Sequence, residues 1–239
     1  MIRIYDFHAL TLYFRSMNWA TILDYIAREW HAISRLELLA VTFGVTEVLL
    51  SYRNNILLYP AGIISCSLSI WLMSHAGLYA ESILSMYYLV MSFYGWYKWV
   101  QRNKKSEHLP ISSCSPKDWR IVAGICVVAF VTLFFTLRTF TDSTVPVMDA
   151  FVSATAWAGM WLLARRKLEN WILLNISNIV AIPLLFYKHL PLMALLTAFL
   201  FTVAVFGYFR WKKIMQAEQL QRETEAQLTL ASIGRDTDR

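Results

Sequence analysis

Charged side chains, cysteines and catalytic motifs are all scarce in this 239-residue sequence. Only 16% of its residues are charged, whereas soluble domains usually carry about 25%. Its three cysteines offer neither a disulfide framework nor a metal site. It has no Gly-rich phosphate loop, no His/Cys cluster with ligand spacing and no Gly-x-Ser-x-Gly elbow. These absences argue against a soluble enzyme, a metalloprotein and an ATP-driven pump, and no cofactor is expected.

Long apolar runs dominate the sequence instead, because 57% of the residues are hydrophobic and the mean hydropathy is +0.45. A helix needs about 20 mostly apolar residues to cross a bilayer. The runs therefore predict an all-α membrane protein with seven transmembrane helices, the first of them interrupted by Glu37 and Glu47. The predicted spans are 35–51, 56–74, 78–100, 119–140, 147–164, 171–187 and 190–210.

Lysine and arginine are distributed unequally between the two sets of predicted loops. Thirteen of them fall on one side of the spans, whereas the other side has only Arg138 and Lys188. Short loops rich in Lys and Arg stay in the cytoplasm. The bias predicts an inner-membrane protein with a cytoplasmic C-terminus and the start of the first span outside. The net charge of +6 then reflects loop bias and not nucleic-acid binding.

The predicted spans divide the chain into five segments. Residues 35–100 and 147–213 are two three-helix repeats, joined by a cytoplasmic loop and linker helix over residues 101–146. Residues 1–34 are expected to contain an amphipathic helix in the outer interface. Residues 214–239 are expected to form a cytoplasmic helix that frays into a disordered tail.

The two triplets of spans resemble each other at two places. The sequence YGWYKW (94–99) matches FGYFRW (206–211), and NILL (55–58) matches NWIL (170–173). We call the spacing of the first match, from Gly95 to Gly207, the repeat offset; the second match is spaced three residues wider, which a longer loop would explain. Four spans separate equivalent positions, so both triplets face the same way in the membrane. The pattern predicts a three-one-three parallel repeat similar to SWEET carriers, with a substrate between the halves.

Polar residues inside the predicted spans are the candidates for substrate binding, because burying them in hydrocarbon is costly. Trp171, Asn175 and Asn178 follow each other at i, i+4 and i+7, on one face of span six. An indole can stack on a flat cationic ring, and the two carboxamides can hydrogen-bond to its edge. The same asparagines could instead join helices to each other.

Acidic residues near the ends of the spans are a second group of candidates. Asp149 and Glu81 begin spans five and three and could hold a cation, although capping also favours carboxylates at helix starts. Glu47 is expected to pair with the nearby Arg53. Two weaker candidates for the same cavity are Tyr59 and Tyr88.

The sequence resembles the PnuC family of vitamin transporters, typified by bacterial nicotinamide riboside carriers. The matching segments are GLYA (77–80), YGWYKW (94–99) and LLARRKLENW (162–171), and the similarity runs from about residue 36 to residue 213. The resemblance implies facilitated diffusion, trapping of the vitamin by a cytoplasmic kinase, and a homotrimer in the lipid bilayer.

One departure from the family pattern bears on the cargo. Nicotinamide riboside carriers have Trp-x-x-Trp in span six, whereas this sequence has Leu174 at the second aromatic position. Its Trp-x-x-x-Asn pattern resembles the thiamine branch, PnuT. The family also often has Gln where Ser85 aligns. The expected cargo is therefore thiamine, with Asp149 assisting the ring charge.

Other functions stay open. Within the same family, the alternative cargoes are nicotinamide riboside and riboflavin. From a different class, the chain could be a membrane-embedded enzyme or a sensor. An enzyme is not expected, because such enzymes need clustered acids or histidines that this sequence lacks.

Overall fold

Eight α-helices account for the regular structure of the described residues. The structure is a computed structural model that describes residues 19–75, 79–103, 110–141, 145–188 and 190–237. The helices are α1 (Trp19–Ala32), α2 (Arg35–Tyr52), α3 (Leu58–His75), α4 (Tyr79–Asn103), α5 (Pro116–Phe140), α6 (Pro146–Ala164), α7 (Asn170–Tyr187) and α8 (Pro191–Thr237).

The helices α2 to α7 coincide with the first six predicted spans to within three residues. The last helix does not match its prediction, because α8 continues unbroken for 47 residues to Thr237. The predicted fraying of this segment into a disordered tail was wrong. Residues 214–233 are rich in Gln, Glu, Ala and Leu and contain neither proline nor glycine, and such a composition favours continued helix.

Four helices of the described chain are long and apolar enough to cross a membrane by length and composition alone. They are Pro116–Phe140, Pro146–Ala164, Asn170–Tyr187 and the first part of α8, Pro191–Thr224. The three helices α2 to α4 are more polar. Three charged residues, Arg35, Glu37 and Glu47, lie in α2 alone, and charged, Ser and Tyr side chains lower the hydropathy of α4.

The helices form two groups of three. Within each group, consecutive helices pack side by side: α2 with α3 and α3 with α4, then α6 with α7 and α7 with α8. Between the groups, α2 packs on α8 and α4 packs on α6. The remaining long helix, α5, packs mainly on α6, while α1 lies against α8.

Contacts inside the first group recur inside the second group at the repeat offset. The Ser65 hydroxyl donates a hydrogen bond of 2.9 Å to the Ala40 carbonyl. At the equivalent positions the Ser177 hydroxyl donates one of 2.7 Å to the Val152 carbonyl. Each bond joins the second helix of its group to the first helix, so the two helix pairs are held together in the same way.

The turns between these helix pairs also correspond. Asn54 and Arg166, which are separated by the repeat offset, are the two non-glycine residues of the described chain with positive φ, at 56° and 53°. The three-residue difference between the NILL and NWIL matches is not seen. The positive-φ residues before them and the serine hydrogen bonds after them both recur at the repeat offset, which pairs Asn55 with Lys167. Asn170 lies three residues further on.

The LLARRKLENW segment fastens the loop before α5. Residues 112–114 run beside residues 166–169, joined by four hydrogen bonds. These are Ser112 N to Arg166 O (3.2 Å), Leu168 N to Ser112 O (3.0 Å), Cys114 N to Glu169 Oε2 (2.9 Å) and Lys167 Nζ to Ser113 O (3.0 Å). Much of the LLARRKLENW motif is therefore explained by loop anchoring.

Asp118 completes this anchor. Its carboxylate accepts hydrogen bonds of 2.9 Å from both the backbone N–H and the hydroxyl of Ser115, forming a capping box at the start of α5. The same carboxylate lies 3.0 Å from Lys167 and 3.6 Å from Arg165. Only 6% of Asp118 is exposed, so water replaces few of these contacts if they are lost.

Replacing Asp118 is expected to destabilise the fold. Asp118→Ala removes the carboxylate of the capping box, so the Ser115 N–H loses its acceptor and Lys167 loses its ion-pair partner, at a cost of about 1–3 kcal/mol. We expect a lower melting temperature of the detergent-purified protein, measured by scanning fluorimetry. The matched control is Asp24→Ala, which removes an exposed pair with Arg28 worth less than about 1 kcal/mol. Equal melting temperatures for the two variants would contradict the anchoring role.

Candidate substrate site

Trp171 lies in the first turn of α7 and is packed inside the contact between α7 and α8. Only 2% of the residue is exposed. A Cβ atom on Gly207 would lie 2.9 Å from three atoms of the indole ring. The ring also meets Trp211 edge to face, with centroids 5.5 Å apart and an interplanar angle of 89°. Gly207 is therefore what lets the indole fit between the two helices.

Tyr59 occupies the equivalent place in the first group, one repeat offset earlier in the chain. Its ring lies against Gly95 and meets Trp99 edge to face at 5.8 Å and 80°. The Tyr59 hydroxyl and the Trp171 indole N–H are both buried without a hydrogen-bond partner among the described residues. Tyr59 and Trp171 thus correspond to each other: the ring of each is packed, and the polar atom of each has no partner among the described residues.

The two predicted asparagines of α7 remain unpaired as well. Asn175 Oδ1 is buried with no hydrogen-bond partner in the described chain. Asn178 is half-buried and takes part in none of the hydrogen bonds found among the described residues. Ser177, between them, is instead committed to the Val152 carbonyl. An unsatisfied buried carboxamide costs about 1–3 kcal/mol, so Asn175 is a strong candidate for contact with a ligand or water.

Asp149 does not present a free negative charge. Lys188 at the end of α7 donates to both of its carboxylate oxygens, at 2.6 and 2.7 Å. Both side chains are partly buried, with 16% of Asp149 and 30% of Lys188 exposed. The ion pair fastens the start of α6 to the end of α7. Its main consequence is that Lys188 already compensates the charge predicted to assist a cationic substrate.

The candidates in α4 lie on one face of that helix. Ser85 and Tyr88 are both half-buried, and Ser92 follows on the same face at 1% exposure. The Ser92 hydroxyl is a further buried group without a partner among the described residues, and sequence reasoning missed it. Its helical spacing from Ser85 was the available signal. The side chain of Glu81 lies outside the described residues.

Two aromatic residues join the groups at the contact of α4 and α6. The rings of Tyr87 and Trp157 are stacked, with centroids 4.2 Å apart and planes inclined by 15°. The Tyr87 hydroxyl also donates to the Trp157 carbonyl at 3.0 Å. Sequence periodicity gave no sign of this pairing, since the two residues lie 70 positions apart.

A second junction lies at the basic end of the bundle, defined here as the end that carries Arg53, Arg166 and Arg210. Arg166, 3% exposed, donates from Nη2 to Asn54 Oδ1 at 2.7 Å. Its guanidinium also lies 4.3 Å from the centroid of the Trp99 ring. Burial lowers the pKa of Arg166, while the nearby Glu218 favours its charged form. The side chain connects the α6–α7 turn to both α4 and the α2–α3 turn.

The helices α2 and α8 close the same end. The Trp211 indole donates to the Ser51 carbonyl at 2.9 Å in a fully buried bond. The guanidinium of Arg210 lies 4.7 Å from the centroid of the Tyr52 ring. We call these contacts, together with those of Arg166, the basic-end contacts. They hold the two groups of helices together around the turns that follow α2 and α6.

Comparison with known proteins identifies the family of this chain. A family model described as "Nicotinamide mononucleotide transporter" matches residues 34–213, most of the chain. The chain belongs to the nicotinamide mononucleotide transporter family. The predicted range of similarity, residues 36 to 213, agrees with the matched range.

The relatives of this chain within the family are distant from it in sequence. A nicotinamide riboside transporter PnuC of Neisseria mucosa is 24% identical over 196 residues, covering 77% of this chain and 74% of that protein. The PnuC protein of Escherichia coli K12 is 22% identical over 209 residues, covering 75% and 85%. A crystal structure of the vitamin B3 transporter PnuC superposes with a TM-score of 0.61 at 21% identity, covering 84% of this chain and 94% of that one.

These findings confirm the PnuC resemblance and a multi-pass membrane protein of a transporter family. They do not support the narrower expectation of the thiamine branch, because the relatives are named as nicotinamide riboside transporters. At this level of identity the solved structure supports the fold alone.

The close approach of Trp171 to Gly207 yields a direct prediction. Gly207→Ala places a methyl group 2.9 Å from the packed indole, so either the ring or α8 must move, at a cost of about 1–3 kcal/mol. We expect a lower melting temperature and an altered tryptophan fluorescence spectrum. Gly124→Ala is the matched control, since no atom lies within 4 Å of its added Cβ and alanine favours helix. An unchanged Gly207→Ala protein would contradict the packed position of Trp171.

Proposed function

We propose that this chain carries a flat, cationic vitamin across the bacterial inner membrane by facilitated diffusion with alternating access. Nicotinamide riboside is the first candidate. The observation that carries the proposal is the buried Oδ1 of Asn175, one turn from Trp171, which has no hydrogen-bond partner among the described residues, in a member of a transporter family. A polar group left unsatisfied inside a membrane protein marks a place for a ligand or water.

We further propose that α2 to α8 all cross the membrane, in a three-one-three arrangement similar to SWEET carriers. The repeats are then residues 35–100 and 147–213, with α5 as the linker of segment 101–146. The paired serine bonds and the two positive-φ turns, each recurring at the repeat offset, support this symmetry. Segments 1–34 and 214–239 lie outside the repeats, and a homotrimer stays a prediction from the family.

The basic end is proposed to face the cytoplasm. Arg53, Arg210, Lys212 and Lys213 lie there, and short loops rich in Lys and Arg stay on the cytoplasmic side. In this orientation the basic-end contacts close the inner side of the carrier. Release of the vitamin inward requires that they open, after which a cytoplasmic kinase traps the product.

The candidate site draws on both repeats. Asn175 and Asn178 hydrogen-bond the edge of the ring, while Trp171 and Tyr59 form the aromatic floor of the site. Each of these two has one polar atom without a partner among the described residues. An indole attracts a cationic ring by about 0.5–2 kcal/mol. The first repeat adds Ser85, Tyr88 and Glu81. Asp149 has a structural role in this scheme because Lys188 holds it.

Nicotinamide riboside fits these groups in two ways. Its carboxamide both donates and accepts hydrogen bonds, as the carboxamides of Asn175 and Asn178 do. Its pyridinium ring is flat and permanently positive, which suits an aromatic lining. The names of the relatives favour the same cargo.

Thiamine is the second candidate, favoured by one observation. Leu174 stands where the nicotinamide riboside carriers have a second Trp, and its side chain lies against α6, with Cδ2 2.9 Å from a Cβ built on Gly159. A stacking face is thus absent, while Asn175 Oδ1 remains free to accept from the amino group of an aminopyrimidine. Stacking is worth about 0.5–1.5 kcal/mol, enough to shift the preference between the two vitamins.

Uptake by purified protein in vesicles tests the function and the cargo. We expect downhill uptake of labelled nicotinamide riboside, with thiamine as the competing substrate, and no requirement for ATP. Asn175→Ala should weaken binding of the transported vitamin about tenfold or more, because one hydrogen bond in a desolvated site is lost. Isothermal titration on the same preparations measures this change.

Ser177→Ala is the matched control, since the Ser177 hydroxyl is used inside the protein. It should lower the melting temperature while leaving affinity within about twofold. Uptake of neither vitamin would overturn the function. Equal affinities of wild type and Asn175→Ala would remove Asn175 from the site while leaving the carrier intact.

Loosening the basic-end contacts should expose the inner side. Trp211→Phe removes the bond to the Ser51 carbonyl but keeps an aromatic ring. In a chain lacking its three natural cysteines, Ser51→Cys should react slowly with maleimide, because Ser51 is 2% exposed. We expect Trp211→Phe to accelerate this labelling several-fold, whereas Trp119→Phe, at a residue 44% exposed, should not. Equal rates in both would contradict the closing role.

A further inference from the structure

Glu47 is an acid inside a helix that we propose to span the membrane. It is half-buried in α2, and its carboxylate points across to α3. A Cβ atom on Gly62 would lie 2.6 Å from Oε1 and 2.9 Å from Oε2. The carboxylate is thus held directly over the backbone of α3, and Gly62 is what makes room for it.

No cation among the described residues pairs with this carboxylate. The predicted pair with Arg53 is absent there, and Arg53 is exposed to solvent at the end of α2. An acid at membrane depth is costly unless it is paired or faces a water-filled site. Glu47 has no cationic partner in the described chain, which leaves a cationic cargo to provide one.

The surroundings of Glu47 are polar and come from two neighbouring helices. Tyr59 and Cys66 of α3 and Tyr88 of α4 lie close enough to interact with it electrostatically. Tyr59 is 2% exposed, and its hydroxyl is buried without a partner among the described residues. The Tyr59 hydroxyl and the Glu47 carboxylate therefore lie near each other, and neither has a partner among the described residues. Both are next to the Tyr59 ring, which belongs to the proposed site.

The second repeat shows that packing alone does not require an acid here. At the repeat offset, the counterparts of Glu47 and Gly62 are Gly159 and Leu174. Those two residues also make a close contact, with Leu174 Cδ2 2.9 Å from a Cβ built on Gly159. The same helix pair is thus held by a large side chain against a glycine, and in the second repeat that side chain is a plain hydrocarbon.

We propose that Glu47 is the counter-charge for the permanently positive ring of the cargo. This role rests on the proposed function and deepens it: the site selects an organic cation over a neutral ring of the same shape. Tyr59 and Tyr88 contact the ring of the cargo next to the Glu47 carboxylate. Asp149 cannot serve in the same way, because Lys188 already neutralises it.

The test compares a cationic vitamin with its neutral isostere. Nicotinamide riboside is paired with its dihydro form, and thiamine with 3-deazathiamine, using whichever vitamin the wild type binds. Wild type should prefer the cation. Glu47→Gln, which keeps the shape, should weaken cation binding about tenfold or more while leaving the neutral isostere within about twofold. Glu47→Asp, which keeps the charge, should retain the preference, as should Glu37→Gln in the first turn of α2.

Three other results would overturn the role. If Glu47→Gln weakened binding of the cation and of the isostere equally, Glu47 would have a packing role. If cation binding were unchanged, Glu47 would have no role in recognition. A wild type that binds cation and isostere equally would also exclude it. In all three cases binding persists and the carrier stands. Binding of neither vitamin by wild type overturns the proposed function itself, and the counter-charge with it.

Discussion

Large side chains packed against glycines hold the helices of this protein close together. In a membrane, lipid is as apolar as leucine, so association of helices depends on close van der Waals packing at small residues. Tyr59 against Gly95 and Trp171 against Gly207 show this at equivalent places in the two groups. Each fixes the distance between a second and a third helix, and the other polar contacts depend on that distance.

The same packing decides which polar groups have protein partners and which do not. Ser65 and Ser177 reach carbonyls of the preceding helix, whereas Asn175 Oδ1, the Ser92 hydroxyl and the Tyr59 hydroxyl reach none in the described chain. Ser65 and Ser177 hold the scaffold, whereas the unsatisfied groups are the ones we propose to meet a cargo. Similar side chains on neighbouring turns thus have different roles, because each face of a helix meets a different neighbour.

Much of the architecture was accessible from the sequence. Apolar runs located the six helices α2 to α7 to within three residues, since hydropathy and period are local properties of the chain. The family range was also accessible, because its motifs are contiguous. The end of α8 was not, because low hydrophobicity was taken as disorder although Gln, Glu and Ala favour helix. The LLARRKLENW motif was recognised, but its anchoring of the loop before α5 could not be read from it.

The sequence by itself determined the membrane class, the positions of the helices and the supply of polar residues within them, because these depend on composition and spacing along one chain. Only the tertiary structure decided how charges are shared. Asp149 is neutralised by Lys188, 39 positions away, while Glu47 finds no partner in Arg53, six positions away. Electrostatic energy depends on distance through space and on burial, and both are set by which helices meet.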